Sequence, residues 1–283
     1  MFTERFLRDK KGVSLTAEER ARLEVAISEV KTLQPRKILA RAGEPLQQST
    51  LLIDGIMSRY LDDRQGLRQL VAIHLPGDFL DLHAFPLKVL DHDVATLTTS
   101  TVAIVPHVEL EAIMEEMPQL TRKLWFATLL DAAIHRAWLF RLGRLDATGR
   151  VAHFLCETNA RLFSAGLSDG RRFALALTQA DLAEICGLTT VHVNRVIRQL
   201  REEGLCNFRS SLVEILDPVR FAARAQFDPA YLYMVDQSDL LSPVQRKVHP
   251  QPPARVCTSP SNSPRSSHRK PTTVHVHACA VAA

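Results

Sequence analysis

The chain predicts an α+β fold. Three observations carry that reading. Between Ile38 and Val105 the apolar residues fall in short alternating runs; residues 119–142 form one long helical pattern; residues 178–200 read as two capped helices around a glycine, with a hairpin after them. The boundaries follow: 1–117 for a β-rich domain, 118–144 for a long helix and hinge, 145–233 for a winged helical domain, 234–283 for a tail.

Thr16 and Glu19 form a capping box that opens a helix expected to reach about Lys31, with Leu23, Ile27 and Val30 inward. Pro35 ends helical character. Short runs follow at 37–41, 50–53, 56–61, 69–75, 94–98 and 102–105, with turn signals at 42–45, 54–55, 62–66 and 75–78. Many short strands at this spacing suit a small barrel or jelly roll. Residues 109–117 make a short helix stopped by Pro118.

In the long helix, Leu120, Leu124, Ala127 and Ile134 mark one apolar side, and Phe126, Leu130, Ala133, Ala137 and Phe140 another. Two apolar faces need two partners: the barrel, and the same helix of a second copy, unless the helix is buried inside one large domain. Gly143 is expected to break this helix. Asp146 caps the next one, which runs to about Gly166, and residues 168–171 make a turn.

Phe173, Leu175 and Leu177 alternate with Arg172, Ala174 and Ala176, as in a strand. Thr178 caps a helix and Asp181 completes its capping box; Leu182, Ile185 and Cys186 form its apolar side. Ala183 is small enough for a second helix to cross closely. Gly187 sits at the turn, where positive φ is needed. Thr189 caps the second helix, which turns Val193, Val196, Ile197 and Leu200 inward and Thr190, Val191, Asn194, Arg195 and Arg198 outward. Two strands, 205–209 and 212–216, bracket Ser210 and Ser211. A helix-turn-helix between a strand and a hairpin is a winged helix, and its polar, basic face suits the major groove of double-stranded DNA. Candidate contacts are Thr178, Gln179, Thr189, Thr190, Val191, His192, Asn194, Arg195 and Arg198, with Arg209 and Ser210 of the wing near a phosphate backbone. The Arg195 fork can donate to O6 and N7 of a guanine; a surface ion pair with Glu202 is the plainer alternative.

Hydrophobic content of 46% and charged content of 23% describe an ordinary globular protein. After Val235, six basic and two acidic residues account for the whole net charge of +4. The charge argument for DNA therefore rests on where arginines sit. The five cysteines include no C-x-x-C pair, which fits a reducing cytoplasm; Cys156 and Cys186 fall on apolar stripes as buried free thiols. The charged N-terminus excludes a signal peptide, and no apolar run is long enough for a membrane span. Past Tyr233 the composition turns to Pro, Ser, His, Arg and Thr, a disordered basic tail in which His275, His277 and Cys279 are solvated rather than metal ligands. No P-loop, G-x-S-x-G or H-E-x-x-H motif supports an enzyme.

The order of elements, with L-D-A-T-G-R-V-A at 145–152, L-T-Q-A-D-L-A-E-I-C-G-L-T at 177–189 and L-P-G-D-F at 75–79, resembles the Crp/Fnr family of bacterial transcription regulators over about 15–233. The resemblance implies an N-terminal cyclic-nucleotide-binding-type β-roll, a long dimerisation helix and a C-terminal winged helix-turn-helix. It implies homodimers on palindromic promoter DNA, with RNA polymerase as a partner. Arg195 matches the family's guanine-reading arginine; Val191 holds the place of its acidic base-reader and cannot accept from a cytosine amino group.

The sensor departs from the cyclic-nucleotide binders. Their G-E-L is replaced by Leu80-Asp-Leu-His83, with Asp81 standing for the ribose-binding glutamate. The later segment, residues 90–94, lacks the phosphate-binding arginine and carries Asp91 and Asp93. Cyclic AMP is therefore not expected there. Gly77, Asp78, Phe79, Asp81 and His83 are the candidate pocket residues, for an effector the sequence does not name. The redox branch's clustered N-terminal cysteines are missing. His74, His83, His92 and His107 could ligate haem or a metal, or simply bond to backbone. No cofactor or metal is assigned. The competing function, a ligand-binding module whose helical domain holds a protein partner, would show exposed aromatics or leucines where Asn194, Arg195 and Arg198 stand.

Overall fold

The computed structural model describes residues 1–235; the tail expected to be disordered lies outside the described residues apart from its first two positions. After a helix α1 (Ala17–Val25) the chain forms β1 (Glu29–Leu33), β2 (Ile38–Ala40), β3 (Gln48–Asp54), β4 (Met57–Asp62), β5 (Arg68–His74), α2 (Ala84–Leu87), β6 (Asp93–Thr96) and β7 (Ser100–Pro106). Two antiparallel sheets, β1-β7-β3 and β2-β6-β4-β5, make the β-roll. Leu51, Leu52, Met57, Val102 and Val105 are fully buried, the outcome of placing apolar side chains on inward faces of short strands.

Then come α3 (His107–Glu116), the long α4 (Pro118–Arg144) and α5 (Ala147–Ser164). The winged domain continues with β8 (Arg172–Ala174), α6 (Gln179–Cys186), α7 (Thr190–Glu202), β9 (Cys206–Arg209), β10 (Leu212–Ile215) and α8 (Pro218–Ala225), closed by a single 3-10 turn at Pro229–Leu232. The wing sheet has the order β8-β10-β9.

Three expectations are corrected. First, α1 stops at Val25, and residues expected to extend it form β1, with Val30 exposed. The β-branched Val30 and Thr32 suit a strand, and all five residues pair with β7, a tertiary ladder that outweighs helical spacing. Second, Gly143 does not break α4, which continues to Arg144; the glycine is exposed, and the helix ends at Leu145 in extended backbone before the Asp146 cap. An interior glycine weakens a helix by only about 1 kcal/mol. Third, the two apolar sides of α4 do not divide as expected. Leu130, Ala133 and Ile134 are all buried within the chain, because α5 and the Pro229–Leu232 turn cover that side. The apolar residues left exposed are Trp125, Leu129, Ala132, Leu139 and Phe140.

Residues before α1 form a strap across both halves of the molecule. Phe6 packs edge-on against Phe79 of the β-roll at 5.2 Å, while Ser164 of α5 donates to the Arg8 carbonyl at 2.7 Å. Lys11 N donates to Tyr233 O and Val235 N to Asp9 O, so the folded chain includes Met234, which is buried, and Val235. Gly77 lets the strap approach: a Cβ there would lie 2.6 Å from the Arg5 carbonyl oxygen, and its φ of 102° excludes most side chains.

Candidate nucleic-acid interface and sensor cavity

The helix-turn-helix is built as its caps dictate. Thr178 accepts from Asp181 N, and the Asp181 carboxylate accepts from Thr178 N at 2.8 Å, so both orphan amides are satisfied. Gly187 takes the left-handed conformation, φ 61°, at the turn. Thr189 accepts from His192 N to start α7. Val193, Val196 and Leu200 are buried, which fixes the rotation of α7 about its axis.

That rotation presents Thr190, Val191, Asn194, Arg195 and Arg198 to solvent, with Val191 at 80% exposure and His192 half-buried. Among the described residues, Arg195 and Arg198 make no hydrogen bond or ion pair; Glu202 does not engage Arg195. Arg172 differs: it pairs with Glu214 across the wing sheet. Thr178 and Gln179 are exposed at the start of α6, although the Thr178 hydroxyl is held by Asp181 at 2.7 Å. Arg209 and Ser210 stand exposed at the wing tip. Exposed aromatics, the mark of a protein-docking face, are not found on this side of α7.

The first helix of the motif is docked on the β-roll. Arg36 meets the buried Asp181 at 2.6 Å, and Gln69 donates to the Glu184 carbonyl. A second link is Arg161 of α5, which donates to Asp78 at 2.6 Å. Glu157, fully buried one turn before it, accepts from Trp138 Nε1 at 2.9 Å, Tyr231 Oη at 2.7 Å and Arg161 Nη1 at 3.4 Å. A third is Arg59, which donates from β4 to the Leu80 carbonyl and, at 2.6 Å, to Asp131 of α4.

Beside these links lies a cavity of about 70 Å³, part of it open to solvent. Gly77, Asp78, Phe79 and His83 line it. Asp81 does not: it is buried, and its carboxylate accepts from Thr50 N at 2.6 Å, so it tethers the turn to β3. Burial pushes the Asp81 pKa up to about 7. His83 faces His92 with ring centroids 5.4 Å apart, and His107 is elsewhere, 3.4 Å from Ser49 Oγ. Burial, with Arg59 nearby, lowers His83 to about 4 and depresses His74 and His92 as well. Among the described residues no three His, Cys, Asp or Glu side chains are placed to hold a metal ion. Among the described residues the three thiols are buried and free: burial raises Cys186 to about 11 and Cys206 to about 12, and raises Cys156 strongly.

Sequence reasoning overlooked Arg59, Asp131, Glu157 and Arg161. The i, i+4 spacing of Glu157 and Arg161 could have paired them with each other, but Arg150, His153 and Asn159 share the helix, and the partners on other elements give no local signal. The strap carried no such signal.

A family model of the Crp-like helix-turn-helix domain matches residues 149–224, and one of the cyclic nucleotide-binding domain matches residues 30–117. Over 213 residues the chain is 25% identical to the transcriptional activator protein anr of Pseudomonas aeruginosa, spanning 75% of this chain and 87% of that one. The fumarate and nitrate reduction regulatory protein of Vibrio cholerae is 24% identical over 204 residues, spanning 72% and 81%. Among solved structures, FixK2 of Bradyrhizobium japonicum superposes with a TM-score of 0.63 at 25% identity, covering 69% of this chain and 96% of that one. A CRP-family transcriptional regulator of Thermus thermophilus shares the fold, with a TM-score of 0.55 at 18% identity, covering 70% and 97%.

Proposed function

The chain belongs to the Crp/Fnr family of DNA-binding transcription regulators, and we propose that it binds palindromic promoter sites as a homodimer through α7. It is a regulator and not an enzyme. The observation that carries the DNA reading is the outward face of α7: Asn194, Arg195 and Arg198 are exposed, the two arginines are uncommitted, and the opposite face is locked in the core. Arg195 reads a guanine by a bidentate contact, Asn194 is placed to read an adjacent base, and Arg209 with Ser210 holds phosphate. Val191 leaves its base without an acceptor partner, so the preferred half-site differs from one read by an acidic residue at that position.

The dimer forms along α4. Trp125, Leu129, Ala132, Arg136 and Leu139 alternate at spacings of four and three residues, all exposed, as in a coiled-coil seam. The β-roll does not take cyclic AMP: its buried Arg59 is already neutralised by Asp131, and the 90–94 segment supplies no arginine to replace it. The protein acts in the cytoplasm, with RNA polymerase as the partner in regulation; no helix among the described residues is long and apolar enough to cross a membrane.

Selection of bound sequences from random duplex DNA tests the reading. A two-fold symmetric site with a guanine in each half is expected; recovery of no symmetric site would overturn it. Calorimetry with cyclic AMP is expected to give no saturable heat, and micromolar binding would refute that part.

A further inference from the structure

We propose that the cavity between the N-terminal strap, the 75–79 turn and α4 binds a small anion carrying a carboxylate or phosphate group, held by Lys10, Arg5 and His74. This goes beyond the DNA reading and stands independently of it.

The cavity wall carries more positive than negative charge. Its carboxylates, Asp78 and Asp131, are consumed by Arg161 and Arg59 at 2.6 Å each. Arg8 lies 3.9 Å from Asp9, and Ser164 donates to the Arg8 carbonyl, but three other donors of the wall have no protein partner. Lys10 is 8% exposed, and its ammonium makes no hydrogen bond or ion pair among the described residues. Arg5 Nε is buried and unpartnered, and so is Nε2 of His74, itself 2% exposed. All three residues line the same space. Only the influence of Asp78 and Asp9 offsets the desolvation of this largely buried ammonium, and a converging anion would add a direct partner. Burial accordingly lowers the Lys10 pKa to about 8, with Asp78 as the nearest opposing influence. The strap itself is held in an unusual backbone: Leu7 and Asp9 take positive φ, 52° and 53°, between the two basic residues. Such strain persists where the surroundings enforce it, often at a binding site.

The site differs from a cyclic-nucleotide pocket in its parts. Arg5, Lys10 and Arg161 all lie outside the matched nucleotide-binding region, 30–117. They come from the strap and from α5 of the winged domain. An occupant would therefore brace strap and β-roll together beside the Arg161–Asp78 link.

Calorimetry on the full chain near neutral pH, with succinate and with inorganic phosphate at matched ionic strength, tests the proposal. Saturable binding of at least one anion is expected, with a dissociation constant below about 1 mM and a higher melting temperature. Neutral succinamide should give none. Comparing succinate with phosphate decides which anionic group the site prefers. Lys10→Met and Arg5→Gln should each weaken binding about tenfold or more, while Lys11→Met, at an exposed neighbour, should not. Melting curves without anion establish that each variant is folded; if Lys10→Met is not, Arg5→Gln decides. Absence of saturable heat with both anions, or wild-type affinity in the folded variants, would overturn the proposal.

Discussion

The guanidinium of Arg195 and the carboxylate of Glu157 mark opposite extremes of what a charged side chain does here. Arg195 is exposed and uncommitted, so its removal should leave the fold intact. Arg195→Ala is expected to cost about 1–3 kcal/mol per half-site and to relax preference at one symmetric base pair. Arg209→Ala should weaken all sequences alike and flatten the salt dependence by about one counterion. Titrations of both variants against the selected site and its single-base changes separate the roles; an Arg195→Ala protein with unchanged affinity and preference would refute the placement of α7. Glu157 is fully buried and accepts from three side chains on α4, α5 and the closing turn. Glu157→Ala strands those donors, and a loss of about 3–5 kcal/mol in urea unfolding is expected. The outward residues of α7 were readable from sequence because helical spacing alone separates them from Val193, Val196 and Leu200. Glu157 was not, since its partners lie 19 and 74 residues away.

At the scale of elements, capped helices and alternating strands were legible, because the capping residues and the alternation that define them are local. The boxes at Thr16–Glu19 and Thr178–Asp181 form as expected. What failed was decided by pairing at long range: β1 exists because β7, some 70 residues later, offers it a ladder. The exposed side of α4 likewise depended on α5 packing in one core with Leu130 and Ile134. Two predictions belong here. Leu129→Glu with Leu139→Glu, at residues 54% and 75% exposed, should convert a dimer to a folded monomer in sedimentation. Ile134→Asp, by contrast, places a charge in the chain's own core and should unfold it. A wild type that sediments as a monomer at micromolar concentration would refute the seam. In the wing, Ser210 and Ser211 both adopt left-handed backbone, φ 49° and 60°, as a two-residue hairpin turn of the primed type requires. Ser210→Asn with Ser211→Gly should therefore stabilise the protein by about 1 kcal/mol, read as a shifted urea midpoint with unchanged slope.

Across the whole molecule, the order of β-roll, long helix and winged helix was legible, but the way the parts are fastened was not. The strap, the docking of α6 on β5 and the Arg161–Asp78 link join residues far apart in sequence, so no local pattern announces them. Those junctions also bury histidines, and this gives the fold a pH dependence whose sign can be worked out. Burial lowers His74, His83, His92, His107 and His153 below their ordinary value, His83 and His153 to about 4. Above the unfolded value of about 6.5 both states are neutral and these groups contribute nothing to the slope. Below it the unfolded chain takes up protons that the folded chain refuses, so stability falls as pH drops from about 6.5 toward 4. Asp81, raised to about 7, acts in the opposite sense: the folded state holds its proton more tightly, which adds stability over the same interval. Glu184, also raised by burial, acts as Asp81 does, but five imidazoles, joined at the acid end by the lowered Glu19 and Glu24, outnumber these two carboxyls, so a net loss is expected. His153 is 3% exposed, with an unpartnered Nδ1, stacked on Tyr231 and edge-on to Phe227. Its share is about 3 kcal/mol by the shift from the ordinary value. His153→Phe keeps the aromatic packing and removes the titration, so it should flatten the decline. Asp81→Asn keeps the acceptor for Thr50 N and should steepen it. Urea unfolding at about pH 7, 5.5 and 4.5 measures all three proteins. Stability that stays level over that interval, or a His153→Phe protein that declines as steeply as the wild type, would mean that these histidines are not held neutral by the fold.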